Sequence, residues 1–210
     1  MSHYLKKSYL SDTRLFAYIE QYKYVNEGDN VLEVGKGAGV FGDIVKKIAN
    51  YTCIDIDEST QPDIVANITD WDNIKHLKGK FDVIFCCQVL EHMPLEQSKV
   101  AFENLLKLAA KRVVISVPDN RASFRINVRL PKVNYKKVFS LPWSGRDVNL
   151  NNNKEHYWEV YSGNYKKIKL IFCNSLQSYK LIEEYRFFER YKQRFYIYEK
   201  VQISENKKIN

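Results

Sequence analysis

The stretch LEVGKGAG, residues 32–39, decides the fold of this 210-residue chain. It has the pattern of a buried strand that ends in a tight glycine turn and leads into a helix. Gly35, Gly37 and Gly39 allow the backbone to turn sharply and to approach a ligand with no Cβ in the way. About twenty residues after the first glycine, a second predicted strand ends at Asp55, where a carboxylate can accept both hydroxyls of a ribose. The sequence therefore predicts a cofactor that contains a nucleoside.

The residues around the glycines narrow the choice of cofactor. A phosphate-binding loop needs Gly-Lys followed by Ser or Thr, whereas Lys36 is followed by Gly37. A dinucleotide fingerprint needs a small residue where this chain has Val40. The carboxylate of Glu33 would repel a pyrophosphate, but it suits a cationic ligand that carries an ammonium and a sulfonium.

Strand and helix patterns alternate along the first 118 residues, and the strands are almost uniformly apolar. This alternation implies right-handed crossovers and a parallel sheet with both faces covered. Five such strands precede two aromatic-rich segments, YKLIEEYRFF and RFYIYEKVQI, which predict a hairpin. We therefore expect an α/β fold: a Rossmann-like, doubly wound, mostly parallel seven-stranded sheet with helices on both faces and a C-terminal antiparallel hairpin.

We expect residues 1–210 to form a single domain. Its parts are an N-terminal helical segment (1–28), a cofactor-binding core (29–118), an irregular basic insertion on the substrate side (119–155) and a C-terminal helix and hairpin (156–203). The N-terminus lacks the apolar core of a signal peptide, and no apolar run is as long as a membrane span. These features predict a cytoplasmic protein.

The formal net charge of +8 resides in the second half of the chain. Residues 1–118 have 14 basic and 16 acidic side chains, whereas residues 119–210 have 19 and 9. Residues 120–146 contain seven basic side chains and no acidic one. Such a stretch favours an anionic partner, with a solubilising surface as the alternative. The predicted substrate-binding residues are Arg121, Arg125, Arg129 and Tyr157.

The segment FCCQVLEHMP, residues 85–94, combines two adjacent cysteines with a Glu-His pair. None of the four cysteines lies in a C-x-x-C pair, and neighbouring side chains of a strand point to opposite faces. We therefore expect Cys86 and Cys87 to be small core residues. The residues that follow them form the turn at the carboxyl end of the fourth strand, where open α/β sheets bind their ligands.

The spacing E-x-G-x-G-x-G, the acidic end of the second strand and the VLEHMP turn resemble the class I S-adenosylmethionine-dependent methyltransferases, from about Tyr9 to the last strand. The segments KEHYWEV and RFYIYEK are also similar to a group of small bacterial methyltransferases. The resemblance implies S-adenosyl-L-methionine as the cofactor. Asn67 stands where the family often has an aspartate that contacts the adenine amino group, and Asp70 is the other candidate. The cofactor-binding residues implied are Glu33, Gly35, Gly37, Gly39, Asp55, Ile56, Asn67, Ile68, Gln88 and Val89.

Methyl transfer from a sulfonium is an in-line displacement that depends on positioning. A hydroxyl or amine acceptor also loses a proton, which a histidine can take because its pKa lies near neutrality. We predict Glu91, His92 and His156 as catalytic residues, with either histidine as the base. The structural alternatives are helix capping for His92, a hydrogen bond for Glu91 and aromatic packing for His156. We expect no metal, because nothing in the sequence fixes a ligand spacing among the three.

These observations predict a methyltransferase that acts on a small, glycan-like or otherwise anionic acceptor. Methylation of RNA, such as tRNA, is the second hypothesis, because the aromatic side chains of the C-terminal half could stack on bases. A non-catalytic partner that keeps the fold is the third, and a nicotinamide-dependent dehydrogenase is the fourth. The sequence leaves the oligomeric state open.

Overall fold

The computed structural model describes residues 11–147, 155–173 and 178–201. Parts of the predicted N-terminal segment and basic insertion, residues 1–10 and 148–154, lie outside the described residues, as does the side chain of Cys173. The helices are α1 (Asp12–Tyr22), α2 (Val40–Val45), α3 (Trp71–Ile74), α4 (Leu95–Leu108) and α5 (Tyr165–Cys173). The strands are β1 (Asn30–Val34), β2 (Asn50–Asp55), β3 (Ile64–Val65), β4 (Phe81–Cys87), β5 (Ala109–Pro118), β6 (Ser123–Leu130), β7 (Val133–Ser140), β8 (Tyr179–Arg186) and β9 (Gln193–Lys200). Within these ranges, no helix combines the length and the apolarity needed to cross a membrane.

Seven strands form one sheet in the order β3-β2-β1-β4-β5-β9-β8. The pairs among β1 to β5 are parallel, whereas β9 pairs antiparallel with both β5 and β8. The chain moves outward from β1 first through β2 and β3, and then in the other direction through β4 and β5. This topology confirms the predicted Rossmann-like, doubly wound sheet with a C-terminal antiparallel hairpin.

Apolar side chains cover both faces of the sheet, because successive strand residues point to opposite sides. In β1, Leu32 packs in the core on one face and Val31 in the core on the other. In β4, Cys86 lies in the first of these cores and Cys87 packs against the second. Burial raises the pKa of the Cys87 thiol to about 12, which keeps it protonated and unreactive. The prediction that the adjacent cysteines are core residues is confirmed.

The prediction of an irregular basic insertion is wrong for about half of its length, because β6 and β7 form a regular hairpin over residues 123–140. The two strands pair antiparallel from Ser123 opposite Ser140 to Leu130 opposite Val133, which leaves a two-residue turn. Apolar residues alternate with polar ones along β6, a strand pattern that the high positive charge of the segment obscured. The alternating residues are Phe124, Ile126, Val128 and Leu130.

A buried ion-pair cluster lies directly after β5 and is centred on Asp119. The fully buried carboxylate of Asp119 lies 2.8 Å from Nη2 of Arg121 and 2.8 Å from Nε of Arg194. Nε of Arg186 lies 3.7 Å from the same carboxylate, and Nη1 of Arg194 lies 2.8 Å from Glu184. Burial alone would raise the pKa of Asp119, but the hydrogen bonds and charges of the arginines outweigh it and lower the pKa. The cluster joins the end of β5 to both strands of the C-terminal hairpin.

Asp119→Asn should destabilise the protein by about 3–5 kcal/mol, because it leaves buried guanidinium groups without their counter-charge. The amide keeps the size of the carboxylate, so the loss reports on charge. Asp72→Asn is the matched control, since the exposed carboxylate of Asp72 forms an i,i+3 ion pair with Lys75. This variant should lose less than about 1 kcal/mol of the free energy of unfolding. Urea unfolding at pH 7 measures the free energy of unfolding of both variants. Equal free energies of unfolding for the two variants would contradict the structural role of the cluster.

Candidate functional site

The strand order places the carboxyl ends of β1 and β4 next to each other, where the sheet reverses its winding. Open α/β sheets bind ligands in the crevice at such a point. The glycine turn follows β1, and the segment from Gln88 to His92 follows β4. The predicted cofactor-binding and catalytic residues therefore meet at one edge of the sheet.

The glycine turn has a backbone conformation that favours glycine at each of its three glycines. The φ angles are 84° at Gly35, 53° at Gly37 and 75° at Gly39. A Cβ added to Gly35 would lie 2.4 Å from Cγ2 of Val89. The turns after β1 and β4 can therefore touch because Gly35 has no side chain.

A second close contact, between α2 and β2, was not predicted from the sequence. A Cβ added to Gly42 would lie 2.5 Å from Cζ of Tyr51, so the small residue that permits close packing stands two positions after Val40. The hydroxyl of Tyr51 donates a hydrogen bond to Glu33. No sequence pattern links these residues, because the contact arises only when β1, β2 and α2 pack together.

Glu33 lies at the end of β1, and only 7% of it is exposed. Burial raises the pKa of its carboxyl to about 8; the hydrogen bond from Tyr51 opposes this shift, and the charge of Asp55 adds to it. Without a ligand, Glu33 is therefore mostly protonated at neutral pH, in contrast to the carboxylate that the sequence analysis assumed. A cation bound beside it would lower this pKa and release the proton.

Asp55 ends β2 beside the glycine turn. Its Oδ2 accepts a hydrogen bond from the backbone N–H of Lys36 at 2.9 Å, and its Oδ1 accepts one from the N–H of Asp57 at 3.0 Å. Each carboxylate oxygen retains a lone pair for a further donor such as a ribose hydroxyl. Ile56 next to it is 69% exposed and offers an apolar surface for a flat ring.

The segment after β3 has two exposed polar side chains, the amide of Asn67 and the carboxylate of Asp70, and both accept hydrogen bonds. Oδ1 of Asn67 accepts hydrogen bonds from the N–H and the hydroxyl of Thr69, at 3.0 and 2.9 Å. The side chain of Ile68 is buried in the core. The carboxylate of Asp70 caps α3 and accepts hydrogen bonds from Asn73. The amide oxygen of Asn67 therefore has both lone pairs engaged, whereas each oxygen of Asp70 retains one for a ligand donor such as the adenine amino group.

Gln88 follows β4 directly and has an unusual backbone for a residue other than glycine, with a φ of 59°. Its N–H donates to the carbonyl of Ser116 at 2.8 Å. Its buried Nε2 has no hydrogen-bond partner in the part of the chain that the structure describes. A buried donor without an acceptor costs about 1–3 kcal/mol, so this amide fits a ligand that supplies an acceptor such as a carboxylate.

His92 and His156 are far apart in the sequence, but their rings lie 4.8 Å apart at an angle of 78°. Nδ1 of His92 lies 2.8 Å from the carbonyl oxygen of Glu155, and Nδ1 of His156 lies 2.7 Å from Oε1 of Glu159. A carbonyl or carboxylate oxygen only accepts hydrogen bonds, so Nδ1 is the donor in both rings. When either ring is neutral, its Nε2 therefore has an available lone pair.

The two histidines differ in basicity, and a buried carboxyl lies beside them. Burial lowers the pKa of His92, whereas the hydrogen bond to Glu159 raises the pKa of His156. Glu91 is 0% exposed, and neither of its carboxyl oxygens has a hydrogen-bond partner among the described residues. Burial raises the pKa of Glu91 to about 8. Ligand atoms of Glu91, His92 and His156 all lie within 4.8 Å of one another.

Hydrogen bonds hold the segment with His156 against the turn with His92. The N–H of Tyr157 donates to the carbonyl of Glu91 at 2.8 Å. The indole N–H of buried Trp158 lies 3.0 Å from Oγ of Ser98 in α4. The N-cap of α4 is Pro94, so His92 does not cap that helix.

The predicted substrate-binding residues do not form one cluster. Arg121 is only 6% exposed and is bound to Asp119 in the ion-pair cluster, so it does not present its guanidinium to solvent. Arg125 is exposed on β6 and donates to a backbone carbonyl of the loop between β8 and β9 at 3.1 Å. Arg129 is exposed farther along β6, and Tyr157 is 56% exposed beside the histidine pair.

Comparison with known proteins gives a family and a set of similar folds. The sequence profile of the family described as "Methyltransferase domain" matches residues 1–165, whereas no curated protein sequence matches the chain. A protein from Rhodobacter sphaeroides, provisionally described as a Zn-dependent alcohol dehydrogenase, is similar with a TM-score of 0.62 at 11% identity, over 91% of this chain and 90% of that one.

Two further similar structures are methyltransferases with bound S-adenosylhomocysteine. One is the magnesium protoporphyrin IX methyltransferase of Synechocystis (TM-score 0.57, 15% identity, 90% of this chain and 81% of that one). The other is the 1,6-didemethyltoxoflavin-N1-methyltransferase of Burkholderia thailandensis (TM-score 0.60, 9% identity, 91% and 80%). At these identities the structures show likeness of fold alone.

The family profile covers most of the chain, residues 1–165, and the described strands form a seven-stranded sheet with the glycine turn after β1 and Asp55 at the end of β2. The chain therefore belongs to the methyltransferase-domain family, as a class I S-adenosylmethionine-dependent methyltransferase.

Proposed function

We propose that the protein transfers the methyl group of S-adenosyl-L-methionine to a small anionic acceptor that binds beside Glu91, His92 and His156. The observation that carries this proposal is the contact between Gly35 and Val89, which joins the cofactor turn to the segment that continues into Glu91 and His92. A methyl donor held in the crevice would then lie next to the acceptor.

On the donor side, each predicted contact has a chemical reason. Asp55 would accept the ribose hydroxyls, and exposed Ile56 would lie against the adenine ring. The free Nε2 of Gln88 would donate to the carboxylate of the methionine part. Glu33 would lose its proton and face the cationic part of the cofactor.

On the acceptor side, an oxygen or nitrogen lone pair attacks the methyl carbon. The new bond to the methyl carbon forms while the carbon–sulfur bond breaks, and its electron pair stays on sulfur to give S-adenosylhomocysteine. The acceptor's proton leaves at the group formed by Glu91, His92 and His156, where Nε2 of either ring can receive it. The raised pKa of His156 would favour a negatively charged acceptor. Two of the similar folds belong to enzymes named for small molecules, magnesium protoporphyrin IX and 1,6-didemethyltoxoflavin.

Asp55→Ala should weaken binding of S-adenosylmethionine by at least about tenfold, because charge-assisted hydrogen bonds to the ribose contribute about 1.5–3 kcal/mol each. Asp55→Asn should lose less affinity for S-adenosylmethionine, since its amide oxygen can still accept a hydrogen bond from the ribose. Asp72→Ala removes an exposed carboxylate elsewhere and should bind normally. Titration calorimetry measures all three. Unchanged affinity in Asp55→Ala would remove the ribose assignment.

Binding of S-adenosylmethionine at pH 7 should release close to one proton. Glu33 has a pKa of about 8 in the free protein, and the cationic cofactor would lower this pKa below 7 and favour the carboxylate. Because the bound state then holds fewer protons, affinity should rise between about pH 6 and pH 8. Glu33→Gln should abolish most of this proton release and flatten the pH dependence.

Calorimetry in two buffers with different ionisation enthalpies gives the proton count directly. The same proton release in wild type and Glu33→Gln would show that another group is responsible.

The acceptor class can be found by incubating the protein and radiolabelled cofactor with cell fractions separated into small molecules, glycans, RNA and protein. We expect label in the small-molecule fraction that binds to an anion exchanger. With that acceptor, Tyr157→Ala should raise KM by severalfold while kcat changes little, because its ring is exposed beside the histidine pair. Lys111→Gln, near the start of β5 at the opposite edge of the sheet, is the control. Label in RNA would instead support the tRNA hypothesis.

A further inference from the structure

Glu91 is the residue in the candidate site that the proposed reaction leaves unexplained. It is fully buried, and both carboxyl oxygens lack a hydrogen-bond partner among the described residues. An unpartnered buried polar group costs about 1–3 kcal/mol, and a charged one costs more. An apolar residue would avoid this cost, so the carboxyl is suited to a partner that the described part of the chain does not supply.

The nearest groups that could share such a partner are the two imidazoles. The ligand atoms of Glu91, His92 and His156 lie within 4.8 Å of one another. Metal–ligand bonds of about 2.0–2.2 Å place neighbouring ligand atoms of a tetrahedral site about 3.4 Å apart. Side-chain rotations that shorten these separations by little more than 1 Å would therefore close the three groups around one cation.

Both imidazoles already have the outer contacts that metal-binding histidines require. Nδ1 of His92 donates to the backbone carbonyl of Glu155, and Nδ1 of His156 donates to the carboxylate of Glu159. A metal-binding histidine usually donates its second ring N–H to such a carbonyl or carboxylate, which fixes the tautomer and orients the ring. In both rings this leaves Nε2 for the cation.

The sequence has no recognisable spacing of metal ligands, but tertiary contacts in the fold bring the ligand residues together. The hydrogen bond from the N–H of Tyr157 to the carbonyl of Glu91, 2.8 Å long, joins the two ligand segments backbone to backbone. The indole of Trp158 fixes the same segment to Ser98 of α4. His156 is therefore placed by the backbone and by core packing rather than by a free loop.

We propose that Glu91, His92 and His156 form a binding site for a divalent transition-metal cation such as Zn²⁺. Two imidazole nitrogens and one carboxylate suit zinc and its first-row neighbours, whereas Mg²⁺ and Ca²⁺ prefer sites made of oxygen ligands. Three protein ligands leave one tetrahedral position open for water or for an acceptor oxygen.

The role of this site in catalysis rests on the proposed function, whereas cation binding itself does not. An acceptor oxygen bound at the open position would lose its proton more easily, because a bound divalent cation stabilises the oxyanion. The oxygen would then attack the methyl group of the neighbouring cofactor. In the metal-bound protein Nε2 of both histidines would bind the cation, so the acceptor's proton would pass to solvent water instead of to a ring nitrogen.

The test uses the full-length, untagged protein, stripped with a chelator and titrated with Zn²⁺ by calorimetry. We expect one Zn²⁺ per chain, and at least about tenfold weaker binding in Glu91→Gln and in His156→Ala. Glu91→Gln keeps the size of the side chain, so the variant should fold. His92→Ala changes a more exposed ligand and provides a third variant. His76→Ala removes an exposed histidine outside the site and should bind Zn²⁺ as wild type does.

Binding of S-adenosylmethionine to each variant separates the two proposals. We expect it to be unchanged, which also shows that the variants are folded. Failure of the stripped protein to bind Zn²⁺, or equal Zn²⁺ affinity in wild type, Glu91→Gln and His156→Ala, would overturn the metal site and leave the methyltransferase proposal intact. Site-specific Zn²⁺ binding without methyl transfer to any fraction would overturn the methyltransferase proposal and leave the metal site intact.

Discussion

The close approach of Gly35 to Val89 is the constraint on which the site depends. A single added carbon at Gly35 would lie 2.4 Å from the valine side chain, so any other residue there would separate the turns after β1 and β4. The turn after β1 contains the glycines that we propose approach the cofactor. The turn after β4 continues through Gln88 to Glu91 and His92. The contact between these two turns places the proposed cofactor-binding glycines next to the segment with the proposed catalytic residues.

The acceptor side needs a second constraint, which comes from the segment of residues 155–160. Its N–H at Tyr157 bonds to the carbonyl of Glu91, and Val160 forms a bridge with Asp119 at the end of β5. The same region contains the buried ion pairs of Asp119 with the arginines of β8 and β9. The C-terminal hairpin therefore does more than complete the sheet, because its charges fix the end of β5 against which the His156 segment lies.

Much of the fold could be predicted from local patterns. The apolar strands and the amphipathic helix α4 have hydrophobic patterns with known periods, and the glycine turn is a local motif. The mostly parallel sheet follows from the alternation of strands and helices. The β6–β7 hairpin could have been predicted too, since Phe124, Ile126 and Val128 alternate with polar residues. The seven basic side chains of residues 120–146 favoured an interpretation based on charge instead.

The candidate site was predictable residue by residue but not as an arrangement. Glu91, His92 and His156 were each identified from the sequence, yet their proximity depends on tertiary hydrogen bonds between distant segments. The contact of Tyr51 with Glu33, and the protonation that burial causes at Glu33, likewise exist only in the folded protein. Arg121 shows the converse, because a basic residue in a basic stretch proved to be buried against Asp119.

The central claim is that the methyl donor and the Glu91, His92 and His156 group share one edge of the sheet. A crystal structure of the protein with S-adenosylhomocysteine tests it most directly. We predict density for the ribose at Asp55, for the homocysteine carboxylate at Nε2 of Gln88, and for the sulfur on the side that faces His92 and His156. Density for the ligand away from the crevice between β1 and β4, or with the sulfur directed away from the two histidines, would contradict the account.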